Sequence, residues 1–312
     1  MKLQILMSVY NGSLYLKRQL ESIAAQDLAD KSLFIRDDGS TDTSLQILEH
    51  FQKQYSWVSY HCGGNVGVQK SFFSLIRESD YTADYTAFSD QDDEWLPQKL
   101  TRAVSCLEWL KRCAGNDVPL LYCGAQQMAG KDLEPVPVTV ERIVHTPDFG
   151  NALVQNICTG CTAVANRALM EILREHPPNQ MEHIIMHDWW LYLTASCFGK
   201  VYYDKTPYIL YRQHGENAFG VILSRRALLK YRLEQLGKPR GEIYRQTEEF
   251  LTVYGTEMER RGKQKELGQL RKLLSSEKSM QNRFRVACDR QYFRQKRMDD
   301  LIFRGIVLIG KL

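Results

Sequence analysis

The first ninety residues alternate between short apolar runs and helical patterns, and this alternation constrains the fold more than any other feature. Runs typical of buried strands occur at residues 3–9, 32–36, 57–60 and 85–88. Between the first two runs, Leu16, Leu20 and Ile23 recur at helical spacing. Repeated strand–helix units predict an α/β fold in which helices flank a mostly parallel sheet. Residues 114–150 are rich in Gly and Pro, so we expect loops there apart from one strand at 120–123.

An acidic cluster follows the fourth predicted strand. It holds four carboxylates within five positions, from Asp90 to Glu94. In parallel sheets ligands bind at the carboxyl ends of strands, and clustered carboxylates repel one another unless a cation lies among them. Carboxylate oxygens suit Mg²⁺ or Mn²⁺, so the cluster predicts a divalent metal site, with a solvated acidic loop as the alternative. A calcium EF-hand is excluded, because Trp95 and Thr101 stand where its loop needs Gly and Glu.

Composition and cysteine usage narrow the class of protein. A chain of 312 residues with 44% hydrophobic and 25% charged residues is ordinary for a soluble globular protein of one or two domains. The eight cysteines include one close pair, Cys158 and Cys161, without a second pair or His at zinc-ligand spacing, so reduced thiols are expected. The two glycine-rich phosphate-binding motifs are absent: there is no GxxxxGK(S/T) loop, and no GxGxxG follows the first strand. A nucleotide would therefore be held through a metal. We expect no leader peptide, and no apolar run reaches the ~18 residues of a membrane span.

The charge is distributed unevenly along the chain. Residues 222–312 carry 22 Lys and Arg against 11 Asp and Glu, whereas residues 1–221 carry 19 against 26. The basic part has a helical pattern and contains the apolar stretch Leu301–Ile309 near its end. An amphipathic helix of this kind suits the interface of an anionic bilayer, with a core helix or a homodimer helix as the alternative. Nucleic acid binding is not expected, because few aromatic residues are interleaved with the charge.

Four short motifs together resemble the family-2 glycosyltransferases of GT-A fold. They are Met7–Asn11 (MSVYN), Arg36–Ser40 (RDDGS), Asn65–Gly67 (NVG) and Ser89–Asp93 (SDQDD). The longer run from Ser89 to Leu100 is similar to bacterial rhamnosyltransferases of cell-surface polysaccharide synthesis. The resemblance covers residues 1–220 and implies a GT-A domain there, followed by a basic helical C-terminal region, 221–312, with an amphipathic tail.

The resemblance implies a donor site and a metal site at the strand ends. The donor-binding residues would be Ser8, Asp38, Lys70 and Asp90, and the ligands of Mn²⁺ or Mg²⁺ would be Asp90, Asp92 and His214. In the family, the acid at Asp38 accepts from the N3–H of a pyrimidine base. The alternatives are a surface lysine at position 70 and a structural histidine at position 214.

The resemblance also implies an acceptor site around the sequence His187-Asp188-Trp189-Trp190. An acid at the position of Asp188 is the general base in the family. The acceptor-binding residues would be Thr159, Gly160, Trp189 and Trp190. The alternatives are helix capping by Asp188, an ordinary turn at 159–160 and burial of both tryptophans in the core.

The activity implied by the resemblance is an inverting, metal-dependent sugar transfer. The expected donor is dTDP-β-L-rhamnose, with UDP-sugars as the alternative, and the expected acceptor is a lipid-linked saccharide. Such a protein would lie in the cytoplasm, peripheral on the inner face of the plasma membrane. A catalytically inactive scaffold of polysaccharide assembly is a further alternative. A sugar-1-phosphate nucleotidyltransferase is disfavoured, because Tyr10–Ser13 offers no glycine-rich basic loop.

Overall fold

A computed structural model of the chain describes residues 1–140, 143–213 and 241–312. Within these ranges the strands are β1 (Leu3–Val9), β2 (Lys31–Asp37), β3 (Val58–Cys62), β4 (Tyr85–Ser89), β5 (Glu94–Trp95), β6 (Leu120–Gly124), β7 (Gln126–Ala129), β8 (Pro135–Val140), β9 (Val164–Asn166), β10 (Lys200–Asp204) and β11 (Ile209–Arg212). The helices are α1 (Leu16–Ala24), α2 (Ser44–Gln54), α3 (Val68–Glu78), α4 (Lys99–Ala114), α5 (Phe149–Ala152), α6 (Arg167–Glu175), α7 (His187–Phe198), α8 (Glu242–Arg260), α9 (Gln264–Lys278), α10 (Met280–Ala287) and α11 (Arg297–Leu308).

The central sheet has seven strands in the order β10-β6-β9-β4-β1-β2-β3. Strand β9 is antiparallel to both of its neighbours, and the other pairs are parallel. This confirms the predicted mostly parallel α/β sheet flanked by helices. The register pairs Val9 with Asp37 and Met7 with Ser89, so the residues that follow β1, β2 and β4 meet at one edge of the sheet.

A second, four-stranded sheet has the order β5-β11-β7-β8. Two of its strands, β7 and β8, lie where we expected loops, so that expectation was wrong. The sequence of β7, Gln-Gln-Met-Ala, has no β-branched or aromatic residue, and its extended form depends on pairing with β8 and with the distant β11. Because β11 also pairs with β5, this small sheet holds the end of the acidic cluster in place.

Side chains alternate between two hydrophobic clusters on the two faces of the central sheet. Along β1, Ile5 and Met7 join the cluster covered by α1, α2 and α4, whereas Leu6 joins the cluster covered by α3, α6 and α7. The second cluster also contains Phe250 of α8 and Phe303 of α11. The basic C-terminal region is therefore helical over 241–312, as predicted, and shares a core with the sheet.

The last helix, α11, has one buried and one exposed apolar face. Phe303 and Val307 are fully buried, whereas Leu301 and Ile309 are more than half exposed. The inner face therefore packs as a core helix, which was one of the two alternatives for this segment. None of the helices in the described ranges combines the length and the apolar character needed to cross a bilayer.

Candidate active site

Asp38 lies just after β2 and is held by several donors. Its backbone N–H donates to the carbonyl of Val9 at 2.7 Å, which fixes the residue beside the end of β1. Its carboxylate accepts from the backbone N–H of Val66 at 3.1 Å and of Gly67 at 2.9 Å, and it forms an ion pair with Arg36. The partnership with Arg36, which lies two residues earlier within β2, was not predicted from the sequence. With only 2% of its surface exposed, Asp38 has a fixed position and a compensated charge.

The two other residues expected near the donor lie beside the first turns of α3. Ser8 is half-buried, and its Oγ lies 2.6 Å from the Oγ of Ser71. Lys70 is the residue before Ser71 and is exposed. The contact between Ser8 and Ser71 joins the end of β1 to the first turn of α3, which also carries Lys70. The roles assigned to Ser8 and Lys70 stay predictions.

The acidic cluster is clamped from both ends. The side-chain amide of Gln91 accepts from the backbone N–H of Tyr10 at 2.9 Å and donates to its carbonyl at 3.0 Å. At the other end, the Arg212 side chain donates to the carbonyl of Asp92 at 2.6 Å, and its backbone N–H donates to Oδ1 of Asp93 at 3.2 Å. The cluster therefore has a defined backbone conformation between β1 and β11.

The acidic side chains lie close enough together to hold a cation. Ligand atoms of Asp90, Asp93 and Cys161 all lie within 4.8 Å of one another. Burial, together with the charges of Asp92 and Asp188, raises the pKa of Asp90 to about 7. Oδ2 of Asp93 is buried without a hydrogen-bond partner among the described residues. Carboxylates that repel one another, with a buried oxygen among them that has no partner, fit a site for a divalent cation that prefers hard oxygen ligands.

This grouping differs in part from the predicted metal ligands. Asp90 is common to both sets, whereas Asp93 and Cys161 were not predicted. Their approach depends on the turn Gly160–Thr162, which lies just before β9 and carries Cys161. Asp92 is half-buried and interacts electrostatically with Asp90 and Asp93. His214 lies outside the residues that the structure describes.

Asp188 lies in the first turn of α7 and faces the turn at 159–162. Its Oδ2 accepts from the backbone N–H of Gly160 at 2.9 Å, and its Oδ1 accepts from the side-chain amide of Asn156 at 2.9 Å. The N-cap residue of α7 is Met186, so Asp188 is not the N-cap. The hydrogen bonds instead orient a carboxylate that is 8% exposed beside Asp90, whose pKa it raises. Asn156 was missed by the sequence analysis.

His187 fills the space behind the same turn. Its ring stacks on Phe72 with centroids 4.0 Å apart, and a Cβ at Gly160 would lie only 2.8 Å from its Nε2. Burial lowers the pKa of His187 to about 3, so the ring is neutral. Only glycine fits at position 160 while this ring keeps its place.

The two tryptophans after Asp188 have different environments. Trp190 is fully buried, with its ring centroid 5.2 Å from that of Phe250, and so belongs to the core rather than to an acceptor surface. Trp189 is half-buried, and its indole N–H donates to the carbonyl of Ala152 at 2.7 Å. Thr159 is also half-buried and precedes the turn that contacts Asp188.

Comparison with known proteins assigns the chain to a group of sugar-transferring enzymes. Residues 4–115 match the family described as Glycosyl transferase family 2. The dTDP-rhamnosyl transferase RfbG of Shigella flexneri is 33% identical over 77% of this chain and 81% of its own length. An uncharacterized glycosyltransferase of Nostoc sp. is 34% identical over 70% of this chain and 66% of its own length. The fold is similar to that of S. aureus TarS 1-349 in complex with UDP-GlcNAc, with a TM-score of 0.57 and 16% identity over 99% of this chain and 91% of that one.

Proposed function

Because this chain belongs to glycosyl transferase family 2 and is a glycosyltransferase, we propose that it moves L-rhamnose from dTDP-β-L-rhamnose to a saccharide acceptor with inversion. The observation that carries the proposal is that Asp188 and Asp90 meet at one turn: Asp188 accepts from the backbone N–H of Gly160 at 2.9 Å, and a carboxylate oxygen of Asp90 lies within 4.8 Å of the Sγ of the next residue, Cys161. The proposed base for the acceptor, Asp188, and a carboxylate of the proposed donor and metal site, Asp90, are therefore close to each other. The choice of donor is supported by the similarity to RfbG, which is named as a dTDP-rhamnosyl transferase.

On the donor side, we assign pyrimidine recognition to Asp38, with Ser8 and Lys70 nearby. A carboxylate offers about four lone-pair sites, and three donors already approach that of Asp38. One further donor, such as the N3–H of thymine or uracil, can therefore be added at a position that Arg36 and Gly67 hold rigid. A UDP-sugar would present the same N3–H to this carboxylate. Asp38 therefore does not distinguish the two donors, and the choice between them needs the turnover measurement described below.

For the metal, we assign Asp90 and Asp92 as ligands of Mn²⁺ or Mg²⁺, with His214 as a further ligand. Such a cation, when bound, would stabilise the negative charge of the departing pyrophosphate. The chain's own contribution is to hold the two carboxylates close together, through the contacts of Gln91 with Tyr10 and of Arg212 with Asp92.

On the acceptor side, Asp188 removes the proton from the acceptor hydroxyl. The oxygen then forms a bond to the anomeric carbon from the face opposite the pyrophosphate, whose C–O bond breaks with both electrons remaining on the leaving oxygen. Inversion of a β-L-rhamnosyl donor gives an α-L-rhamnoside without a covalent sugar–enzyme intermediate. The hydrogen bonds from Gly160 and Asn156 aim the carboxylate of Asp188 before the acceptor arrives.

We further propose that the acceptor is lipid-linked and that the protein meets it at the inner face of the plasma membrane, in polysaccharide synthesis. The exposed apolar residues of α10 and α11, together with the residue that follows α11, support this: Met280, Phe284, Met298, Leu301, Leu308 and Ile309. The two helices pack against each other in the region where basic side chains outnumber acidic ones by two to one. Exposed apolar side chains on helices of a region with net positive charge fit an anionic bilayer.

The proposal is tested with purified protein, Mn²⁺, a panel of nucleotide sugars and a lipid-linked saccharide extract. Turnover with dTDP-β-L-rhamnose that exceeds turnover with UDP-sugars is the expected result. Turnover with a UDP-sugar alone would overturn the donor assignment but not the reaction class. A protein that binds nucleotides yet turns over none of the donors would be the inactive scaffold considered above.

A further inference from the structure

A cavity between α4 and β10 shares no lining residue with the candidate active site. It has a volume of about 320 Å³ and is lined by Arg102, Ser105, Cys106, Trp109 and Tyr202. Sites for small molecules are typically concave, have volumes of about 300–1,000 Å³ and combine aromatic side chains with a few polar groups. Because β10 is an edge strand of the seven-stranded sheet, this cavity lies at the flank of the sheet.

Two aromatic rings meet at nearly a right angle in the cavity. The ring centroids of Trp109 and Tyr202 lie 6.1 Å apart, and the angle between the ring planes is 76°. Tyr202 also stacks on Tyr122, which is buried and so fixes the orientation of the Tyr202 ring. Trp109, by contrast, is 49% exposed. The faces of aromatic rings attract groups with partial positive charge, and the C–H groups on the face of a sugar ring are of this kind.

The charged groups of the cavity are paired with each other. Nε of Arg102 donates to Oδ2 of Asp204 at 2.7 Å, and its Nη2 donates to the hydroxyl of Tyr202 at 3.4 Å. Asp204 is buried, whereas the side chain of Arg102 is 39% exposed. An arginine has five N–H donors, so three remain beyond these bonds to described residues. Arg102 can therefore donate to the hydroxyl groups of a ligand, while Asp204 balances its charge.

The end of the cavity near Asp204 lies at the same edge of the sheet as the candidate active site. Asp204 is the last residue of β10 and pairs with Gly124, the last residue of β6. The backbone N–H of Gly124 donates to Oγ1 of Thr162 at 3.2 Å, in the turn whose Gly160 N–H holds Asp188. In the sheet order β10 is three positions from β4, a separation of about 14 Å at the usual spacing of strands. A chain of a few sugar units can span this distance.

We propose that this cavity is a subsite for a neutral saccharide and holds sugar units of the acceptor chain that lie away from the site of transfer. The inference rests on the proposed function for the nature of the acceptor. A sugar ring packs against Trp109 and Tyr202, and its hydroxyl groups accept from Arg102. The Oγ of Ser105, which donates to the carbonyl of Thr101, can accept from a further hydroxyl. An anionic ligand fits less well, because Asp204 already compensates the charge of Arg102.

Binding is tested by saturation-transfer NMR titration of the full chain with two neutral tetrasaccharides, one of rhamnose and one of glucose, without donor or metal. Wild-type protein should bind at least one of them, with an affinity that does not fall as salt rises, because charge attraction is not involved. Trp109→Ala should weaken this binding about tenfold. Ser105→Phe keeps both rings but fills the cavity from an exposed position of α4, and should weaken binding similarly. Tyr81→Ala, which removes an exposed aromatic ring elsewhere, should leave it unchanged.

Three results would overturn the inference: no binding of either tetrasaccharide, equal affinities of wild type and Trp109→Ala, or an affinity that falls with salt. A wild-type dimer that Trp109→Ala converts to a monomer in light scattering would assign the flank of β10 to a contact between copies of the chain, and would also overturn it. In transfer assays, the advantage in KM of a tetrasaccharide acceptor over a monosaccharide should shrink in Trp109→Ala. Because the binding test uses neither donor nor metal, a failure of sugar transfer would contradict only the proposed function.

Discussion

The backbone N–H of Gly160 donates to Oδ2 of Asp188 at 2.9 Å, across 28 residues of sequence. This bond joins the first turn of α7 to the turn after Thr159 and sets the direction of the carboxylate. The amide of Asn156 holds the other oxygen. The orientation of the proposed base is therefore a tertiary property, which neither segment could specify alone.

Asp188→Asn should abolish most of the transfer while the fold and donor binding persist. Asparagine is nearly isosteric and still offers one oxygen to the N–H of Gly160, but it cannot take a proton. The rate of transfer should fall by about 10²–10⁴-fold, the usual range for a general base. Single-turnover transfer and a melting curve measure the two effects. A melting temperature that collapses together with activity would favour a purely structural Asp188.

Gly160→Ala should lower both activity and stability. The new Cβ would lie 2.8 Å from Nε2 of His187, and the stack on Phe72 prevents that ring from moving away. We expect a loss of about 1–3 kcal/mol, typical of overpacking, in urea unfolding. Gly268→Ala is the matched control, because nothing lies within 4 Å of its Cβ in α9, and alanine in a helix should stabilise. Equal effects of the two changes would contradict the steric account.

Much of the fold could be predicted from the sequence, because the spacing of apolar residues in β1, β2 and β4 and in the helices between them is a property of each segment alone. The strand β7 did not, because its Gln-rich sequence becomes extended only through remote partners. The burial of Trp190 was left open, since its partner Phe250 lies 60 residues later. At the site, two separate motifs pointed to Asp90 and to Asp188 as candidates, and their roles stay predictions. The grouping of Asp90 and Asp93 with Cys161 could not be predicted, because it depends on how two distant segments meet.

Glu257 should make the folded state sensitive to acid. Hydrogen bonds from Arg260, together with Arg261, lower the pKa of Glu257 to about 2 despite its burial. A carboxyl with a depressed pKa contributes stability above its unfolded pKa of about 4.3, and this is lost as the pH falls toward 2. Glu257→Gln should therefore cost about 2 kcal/mol in urea unfolding at pH 7 and progressively less below pH 4. Glu248→Gln, exposed on the same helix, should show no such pH dependence.

The membrane proposal is better tested by charged substitutions at exposed positions than by truncation. Deleting 301–312 would remove the buried Phe303 and Val307 and so unfold part of the core. Leu301→Glu with Ile309→Glu changes only exposed positions and should reduce sedimentation with anionic vesicles. The remaining binding should weaken as salt rises, because each basic residue contributes about 1 kcal/mol near the surface. Trp109→Glu, on an exposed position of α4, is the control. Sedimentation unchanged by the double variant would assign these helices to a protein contact instead.

The most direct test of the account is the configuration of the product. Wild-type protein is incubated with dTDP-β-L-rhamnose, Mn²⁺ and acceptor, and the anomeric signals are followed by NMR from the first turnover. The account predicts an α-linked rhamnoside as the initial product, formed by the wild type and not at a comparable rate by Asp188→Asn. A β-linked initial product would show retention and contradict a mechanism in which Asp188 activates the acceptor for direct displacement.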